Sequence, residues 1–262
     1  MKDKQILKPT VRPKQNSQKE TRPPVLNVEN LVKSYGDRGI LNALSFSVEE
    51  GEVVGLLGPN GAGKTTAFYI AIGLIAPDKG RVFFKEKEIT HLPIHERARM
   101  GMGYLAQEPS IFRHLTVEDN ILCILETLPI DKQERKRRLA ALLSELHLEH
   151  LAKKRASSLS GGERRRLEIT RSLVTEPSLL LLDEPFANID PIAVQDVKEM
   201  IRHLKKRGIS ILITDHNARE IFSIVDRSYL IRDGKVLLSG SVEELLSNQE
   251  ARLSYFGAEF KL

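Results

Sequence analysis

"GPNGAGKTT" occupies residues 58–66 and follows directly on the apolar run "EVVGLL", residues 52–57. Glycine lets a backbone turn sharply and come close to another group. The lysine and threonines add a point charge and hydroxyls. Gly58, Gly63, Lys64 and Thr65 match the phosphate-loop pattern G-x-x-x-x-G-K-T. In such a loop the amides around Gly61 to Lys64, at a helix N-terminus, cradle phosphates because free donors and the helix dipole both point there. Lys64 is expected on the β- and γ-phosphates and Thr65 on Mg²⁺.

Outward from this loop, "VLNVENLVKSY" and "GILNALSFSVEE" alternate as strands do and predict short antiparallel strands ahead of the buried strand 52–57. The uncharged stretch "TTAFYIAIGLIAP" (65–77) predicts a buried helix, too short to span a bilayer. "RVFFKEKEI" reads as a strand, "IHERARM" (94–100) as a short helix and "GMGYLAQ" as a strand. From about Val117 to Leu151 the text is mostly helical, with Leu139, Leu142, Leu143, Leu146 and Leu151 on one apolar face. "SLLLLDEP" (178–185) and "ISILITDH" are continuous apolar runs, as strands covered on both faces require. A helix over 191–207 ends at Gly208, and "RSYLIRDGKVLLSG" is a hairpin turning at Asp233-Gly234. The alternation predicts an α/β fold with a parallel-sheet core, an antiparallel β subdomain and an α-helical subdomain at about 110–165.

Three further stretches carry chemistry. Asp183, at the end of "LLLLDE", is placed to bind Mg²⁺ directly or through water, and Glu184 to orient or deprotonate an attacking water. "LSGGERRR" (159–166) puts a serine and two glycines before a helix, a second phosphate-binding N-terminus. One nucleotide has no use for two, unless the second serves a neighbouring chain. With Gln107 in "YLAQE" and His216 in "ITDH", these stretches stand in the order found in ATP-binding cassette (ABC) ATPases, which the chain resembles over residues 25 to about 245.

The resemblance implies a P-loop NTPase fold, ATP and Mg²⁺ as ligands, and roles for matching positions. Gly58, Pro59, Asn60, Gly61, Ala62, Gly63, Lys64, Thr65 and Thr66 line the nucleotide, and Tyr35 in "KSYG" stacks on adenine. Gln107 senses Mg²⁺ and the lytic water, Glu184 is the general base and His216 contacts the γ-phosphate. Ser160, Gly161 and Gly162 close on ATP held by a second copy, and Asp190 in "ANID" lies on the dimer-crossing loop. Within the family, "HERARMGMGYLAQEPSIFRHLTVEDNI", "LLDEPFANIDP" and the ending "YFGAEFKL" are most similar to the ATPase subunits of lipopolysaccharide exporters. They differ in Ala106, where proline is common, and in "FANID", where "FAGVD" is usual. Branched-chain amino-acid importer ATPases share much of this text and are the alternative. Either reading implies a homodimer on two integral-membrane subunits, without direct cargo contact, peripheral on the cytoplasmic face of the inner membrane. Phe112 and Arg113 in "EPSIFRHLTVEDN" map to the groove that receives a membrane-subunit helix; "IFRHL" as core plus solvated face is the other reading.

Composition agrees with one domain, alone or carrying a subdomain: 262 residues, 41% hydrophobic. The single cysteine, Cys123 in "NILCILE", excludes an intramolecular disulfide and reads as an apolar core position rather than a reactive thiol. The net charge of +5 belongs to residues 1–24, which carry seven basic and two acidic side chains. The remainder is neutral, so no nucleic-acid partner is expected of it. The tail is expected to be disordered, either solvated or touching an anionic membrane or RNA, and is no signal peptide. Residues 25–245 form the predicted ATPase domain and 246–262 a C-terminal extension. Fewer than 100 residues separate Thr66 from Leu159, which leaves no room for coiled-coil arms of a DNA-maintenance ATPase, and there is one cassette rather than the two of translation-type relatives.

Overall fold

The computed structural model describes residues 23–252 and 255. Most of the basic tail and most of the C-terminal extension, "YFGAEFKL" included apart from Tyr255, therefore lie outside the described residues. A six-stranded sheet forms the centre, built from β3 (Val53–Leu57), β6 (Met102–Leu105), β7 (Leu179–Asp183), β8 (Ser210–Thr214), β9 (Arg227–Arg232) and β10 (Lys235–Gly240), in the order β10-β9-β3-β8-β7-β6. All pairs are parallel except β9 with β10, the predicted hairpin. A four-stranded antiparallel sheet of β1 (Leu26–Tyr35), β2 (Arg38–Val48), β4 (Lys79–Phe84) and β5 (Lys87–Glu88), ordered β2-β1-β4-β5, flanks it.

Every residue of β3, β7 and β8 is buried, which accounts for their unbroken apolar text. Successive side chains point to opposite faces, so Leu179 and Leu181 enter one core while Leu180 and Leu182 enter the other. The first core lies between the two sheets and encloses α1 (Lys64–Ile72), whose Ala67, Phe68, Ile70, Ala71 and Ile72 are all buried. A helix walled in on both sides must be apolar all round. It stops at Gly73, in the left-handed conformation at φ 88°.

Below that end sits Arg97, on α2 (Ile94–Arg99), with 1% of its surface exposed. Its guanidinium donates to the carbonyls of Ile70 (2.8 Å) and Ala71 (2.7 Å) on α1, and to Leu92 (2.8 Å) and Thr90 (3.0 Å). Burial pulls its pKa down to about 10, still well above neutrality. The carbonyls at the helix end thus find donors on a side chain.

The second core packs the opposite sheet face against α5 (Gly161–Leu173), α6 (Pro191–Lys206), α7 (Ala218–Phe222) and α8 (Val242–Ser247). A third, smaller core joins α3 (Val117–Leu125), α4 (Lys132–Glu145) and part of α5. α5 straddles the border placed near residue 165: Leu167 and Val174 face the small core, Ile169 and Leu173 the large one. The leucine face of the helical stretch is less continuous than its periodicity suggests. α4 ends at Glu145, His147 turns at φ 56°, and Leu151 sits on a separate 3₁₀ turn. Cys123 is half-buried, its thiol on the Asn120 carbonyl, rather than a core residue. The fully buried member of "NILCILE" besides Ile121 and Leu125 is Asn120. Its amide accepts from the Phe112 N–H and donates to the carbonyls of Phe112 and Thr116, so burial leaves no polar atom unpaired there. Among the described residues no helix is long and apolar enough to cross a membrane.

Candidate active site

The loop 58–66 leaves the C-terminal end of β3 and opens α1, as its composition predicts. It is wedged between β2 and the β9–β10 turn. The Gly234 amide donates to the Ala62 carbonyl (3.1 Å) and the Asn42 amide to the Gly234 carbonyl (2.9 Å). A Cβ on Gly58, at φ 150°, would lie 2.1 Å from the Ile231 carbonyl oxygen; on Gly63, at φ 102°, it would lie 2.7 Å from Leu41. Glycine is required here to seat the loop against its own protein as well as to expose amides. Gly58→Ala is therefore expected to lose about 3 kcal/mol of stability, and an unchanged urea midpoint would refute the close fit. Lys64 curls back so that Nζ donates to the carbonyls of Gly58 (2.7 Å) and Pro59 (3.0 Å). Burial lowers its pKa and the Glu184 carboxylate opposes that shift.

At the end of β7 stands Asp183, 1% exposed, its carboxyl pushed up to about 6 chiefly by burial. Its Oδ2 has no hydrogen-bond partner, a costly condition for a buried oxygen and the expected one for a ligand awaiting a cation. The Tyr69 hydroxyl, on α1, faces the same carboxylate. Thr65 lies on the first turn of α1, so hydroxyl, carboxylate and the Gln107 amide offer hard oxygens of the kind Mg²⁺ takes together with phosphates.

Glu184 follows at φ 45°, a conformation unfavourable for a glutamate and held by the hydrogen bond that its N–H donates to the Thr214 carbonyl (2.8 Å). Gln107 Nε2 donates to Glu184 Oε2 (2.9 Å), and His216 Nδ1 lies 3.5 Å from the same oxygen and 3.4 Å from Asp215 Oδ1. The structure thus brings together Gln107, Glu184 and His216 from three separate loops around one carboxylate oxygen. Asp215, buried, accepts from the amides of Phe186 (3.1 Å) and Asn217 (2.9 Å) and so fixes the loop that carries His216.

The other expected residues make their contacts elsewhere. Ser160 caps α5 in a capping box with Glu163. That leaves the first helix amides, of Gly161 and Gly162, without an intrahelical acceptor. Gly162 packs on Ala193, where a Cβ would come 3.1 Å from its Cβ, whereas Gly161 is exposed and a Cβ there would meet only Ile189, at 3.9 Å. Among the described residues no neighbour in its own chain demands that glycine. Asp190 accepts from the amides of Ile192 and Ala193, both at 3.0 Å, and caps α6. Asn188 turns at φ 59°, a conformation open to glycine and next most easily to asparagine, so the departure from "FAGVD" preserves the bend. Tyr35 is 52% exposed at the end of β1 instead of packed in the sheet. Phe112 is 50% exposed beneath the Arg171 guanidinium, 4.8 Å from its ring centre, and is no core residue.

Arg165 escaped the sequence reading. Its guanidinium, 6% exposed, pairs with Glu168 (2.9 Å) and donates to the carbonyls of Glu184 (3.0 Å), Pro185 (3.1 Å) and Ala106 (3.2 Å). One side chain therefore ties the "LSGGE" helix, the acidic strand end and the glutamine loop together. The triple arginine of "ERRRLE" was the available signal, but helix phase alone decides which one turns inward.

The family model described as ABC transporter matches residues 41–187. The chain is 53% identical over 238 residues to the lipopolysaccharide export system ATP-binding protein LptB of Acidithiobacillus ferridurans, covering 91% of this chain and 99% of that one. It is 45% identical to the LptB of Escherichia coli K12, over 90% and 99% of the two chains. Among solved structures, an ATP-binding cassette of an ABC transporter in its ADP conformation superposes with a TM-score of 0.80 at 31% identity, over 90% of this chain and all of the other. A nucleotide-free cassette gives the same TM-score at 30% identity. The chain belongs to the ABC transporter family, as one of its nucleotide-binding ATPase cassettes.

Proposed function

We propose that this cassette powers the export of lipopolysaccharide from the inner membrane, acting as a homodimer on two integral-membrane subunits at the cytoplasmic face. The observation that carries this reading is its likeness to lipopolysaccharide-export cassettes along practically their entire length. Tyr35 stacks on adenine; the loop from Gly58 to Thr66 and Lys64 hold the phosphates. Thr65, Asp183 and Gln107 hold Mg²⁺, which when bound offsets charge developing on the β- and γ-phosphate oxygens. Glu184 takes the proton of the water that attacks the γ-phosphorus, while Gln107 and His216 position that water and the phosphate. Ser160, Gly161 and Gly162, with Asp190 nearby, complete the site of the opposite copy, for which the exposed Gly161 leaves the approach clear. Each γ-phosphate bridges two chains, so cleaving it opens the dimer and drives the membrane subunits.

Affinity purification of the whole chain from detergent-solubilised inner membranes tests the assembly. Two integral-membrane proteins should accompany it, and depletion of the chain should leave lipopolysaccharide in the inner-membrane fraction. Loss of branched-chain amino-acid uptake instead would establish the importer alternative. Phe112 and Arg113 lie in the segment proposed to receive a helix of each membrane subunit. Phe112→Ala is expected to keep the ATPase rate of the free protein within twofold, as the ring is half exposed, while reducing co-purified membrane subunits roughly tenfold, a hot-spot-sized loss. Intact co-purification would remove Phe112 from that interface.

A further inference from the structure

Strands β1 and β2 are joined by a tight turn in which Tyr35 and Arg38 are directly opposed in register. Opposed residues of an antiparallel pair send their side chains to the same face. The aromatic ring and the guanidinium therefore leave the hairpin together. Arg38 comes to the edge of the phosphate loop: its Nη2 lies 4.0 Å from where a Cβ on Gly61 would stand. Both Arg38 and Gly61 are exposed. Among the described residues no carboxylate pairs with this arginine within 4 Å, whereas the neighbouring Lys33 is held by Asp78 at 2.9 Å.

Positive groups thus converge on one short loop: the Arg38 guanidinium at one edge, the Lys64 ammonium on the Gly58 and Pro59 carbonyls, and the positive end of α1. Like charges gathered around a loop repel one another unless an anion lies between them. A guanidinium offers paired donors in a plane and matches phosphate oxygens better than an ammonium does.

We propose that Arg38 is a further nucleotide-binding residue, which grips the α/β-phosphate part of the bound nucleotide. This assignment rests on reading residues 58–66 as the nucleotide site. Tyr35 marks the base end of that site, and Gln107, Glu184 and His216 mark the γ end. A group on the same hairpin face as Tyr35, 4.0 Å from the Cβ position of Gly61, meets the loop between those two ends, at phosphates that ADP and ATP share. An interaction equal for both supplies affinity without favouring the transition state.

Equilibrium titration of the full chain with ADP, and with ATP in EDTA to prevent turnover, tests this. Arg38→Gln should raise the Kd for ADP about tenfold, the size of one charge-assisted phosphate contact, and should raise that for ATP by the same factor. Arg38→Lys should fall between the variant and the parent protein. An ADP Kd within twofold of the parent overturns the proposal. So does a loss confined to ATP, which would put the arginine at the γ end. If the unmutated chain binds neither nucleotide, or Lys64→Ala binds both as tightly as the parent, the reading of the loop itself falls, and the Arg38 assignment with it.

Discussion

Glu184→Gln is expected to cut ATP turnover at least 10²-fold, the usual contribution of a positioned general base, while ATP binding persists. The carboxylate oxygen that receives the Gln107 amide and faces His216 stands where three loops meet. An amide of the same size leaves the strained backbone at φ 45° undisturbed and can still accept from Gln107, but cannot take a proton from water. Phosphates, Lys64 and Asp183 are untouched, so the nucleotide stays bound and uncleaved. In the proposed mechanism the γ-phosphate is what joins two copies. The variant should therefore accumulate as a dimer in size-exclusion chromatography with ATP and revert to monomer when ATP is removed. Turnover within tenfold of the parent would show that another group takes the proton. Low turnover without ATP-dependent dimers would spare the base and sink the bridged dimer.

The second large effect concerns stability and catalysis together. Arg165→Leu removes the partner of a buried carboxylate, Glu168, one of whose oxygens already lacks a hydrogen bond. It also takes a donor from each of the carbonyls of Ala106, Pro185 and Glu184, the last of which keeps only the Ala187 N–H. Breaking a buried ion pair on one side costs about 3–5 kcal/mol, which urea denaturation will read as a large drop in midpoint. Replacing both partners removes the uncompensated charge, so Arg165→Leu/Glu168→Leu should recover most of that loss. It should not recover the rate. The loop bearing Gln107 and the backbone of Glu184 are no longer tied to α5, and a displacement of about 1 Å at a catalytic group is enough to slow a reaction around 10²-fold. A double variant with full ATPase activity would reduce Arg165 to a structural residue. A single variant as stable as the parent would contradict the buried network.

The residues easiest to read in the sequence were those whose chemistry depends on near neighbours. Gly58 to Thr66 and "LLLLDE" declare strand, turn and ligand within a few positions, and strict burial on both faces wrote β3, β7 and β8 as apolar runs. The left-handed turn at Asp233-Gly234 followed from the same local logic. What stayed illegible depends on distant packing. Arg164, Arg165 and Arg166 are alike on paper, and only the helix direction sends the middle one to the Glu184 carbonyl. Asn120 looks like the polar start of an apolar run, yet it is the residue that burial selects, because three backbone groups of the neighbouring loop satisfy it. Cys123 then turns partly outward. Arg38 comes near the phosphate loop only because that loop is seated against β2 and the β9–β10 turn.

Arg97 has a consequence at the far end of that helix. An α-helix ordinarily presents opposite partial charges at its two tips, and the field of one tip is partly undone by the other. Here a full positive charge is sealed against the carbonyl tip of a nine-residue helix, where solvent can neither screen it nor carry it off. The rod is left electrically lopsided, and a polyanion arriving at Lys64 meets attraction with little counterweight behind it. In the proposed nucleotide site, an arginine at the far end of the helix would thus supply part of the pull on the triphosphate.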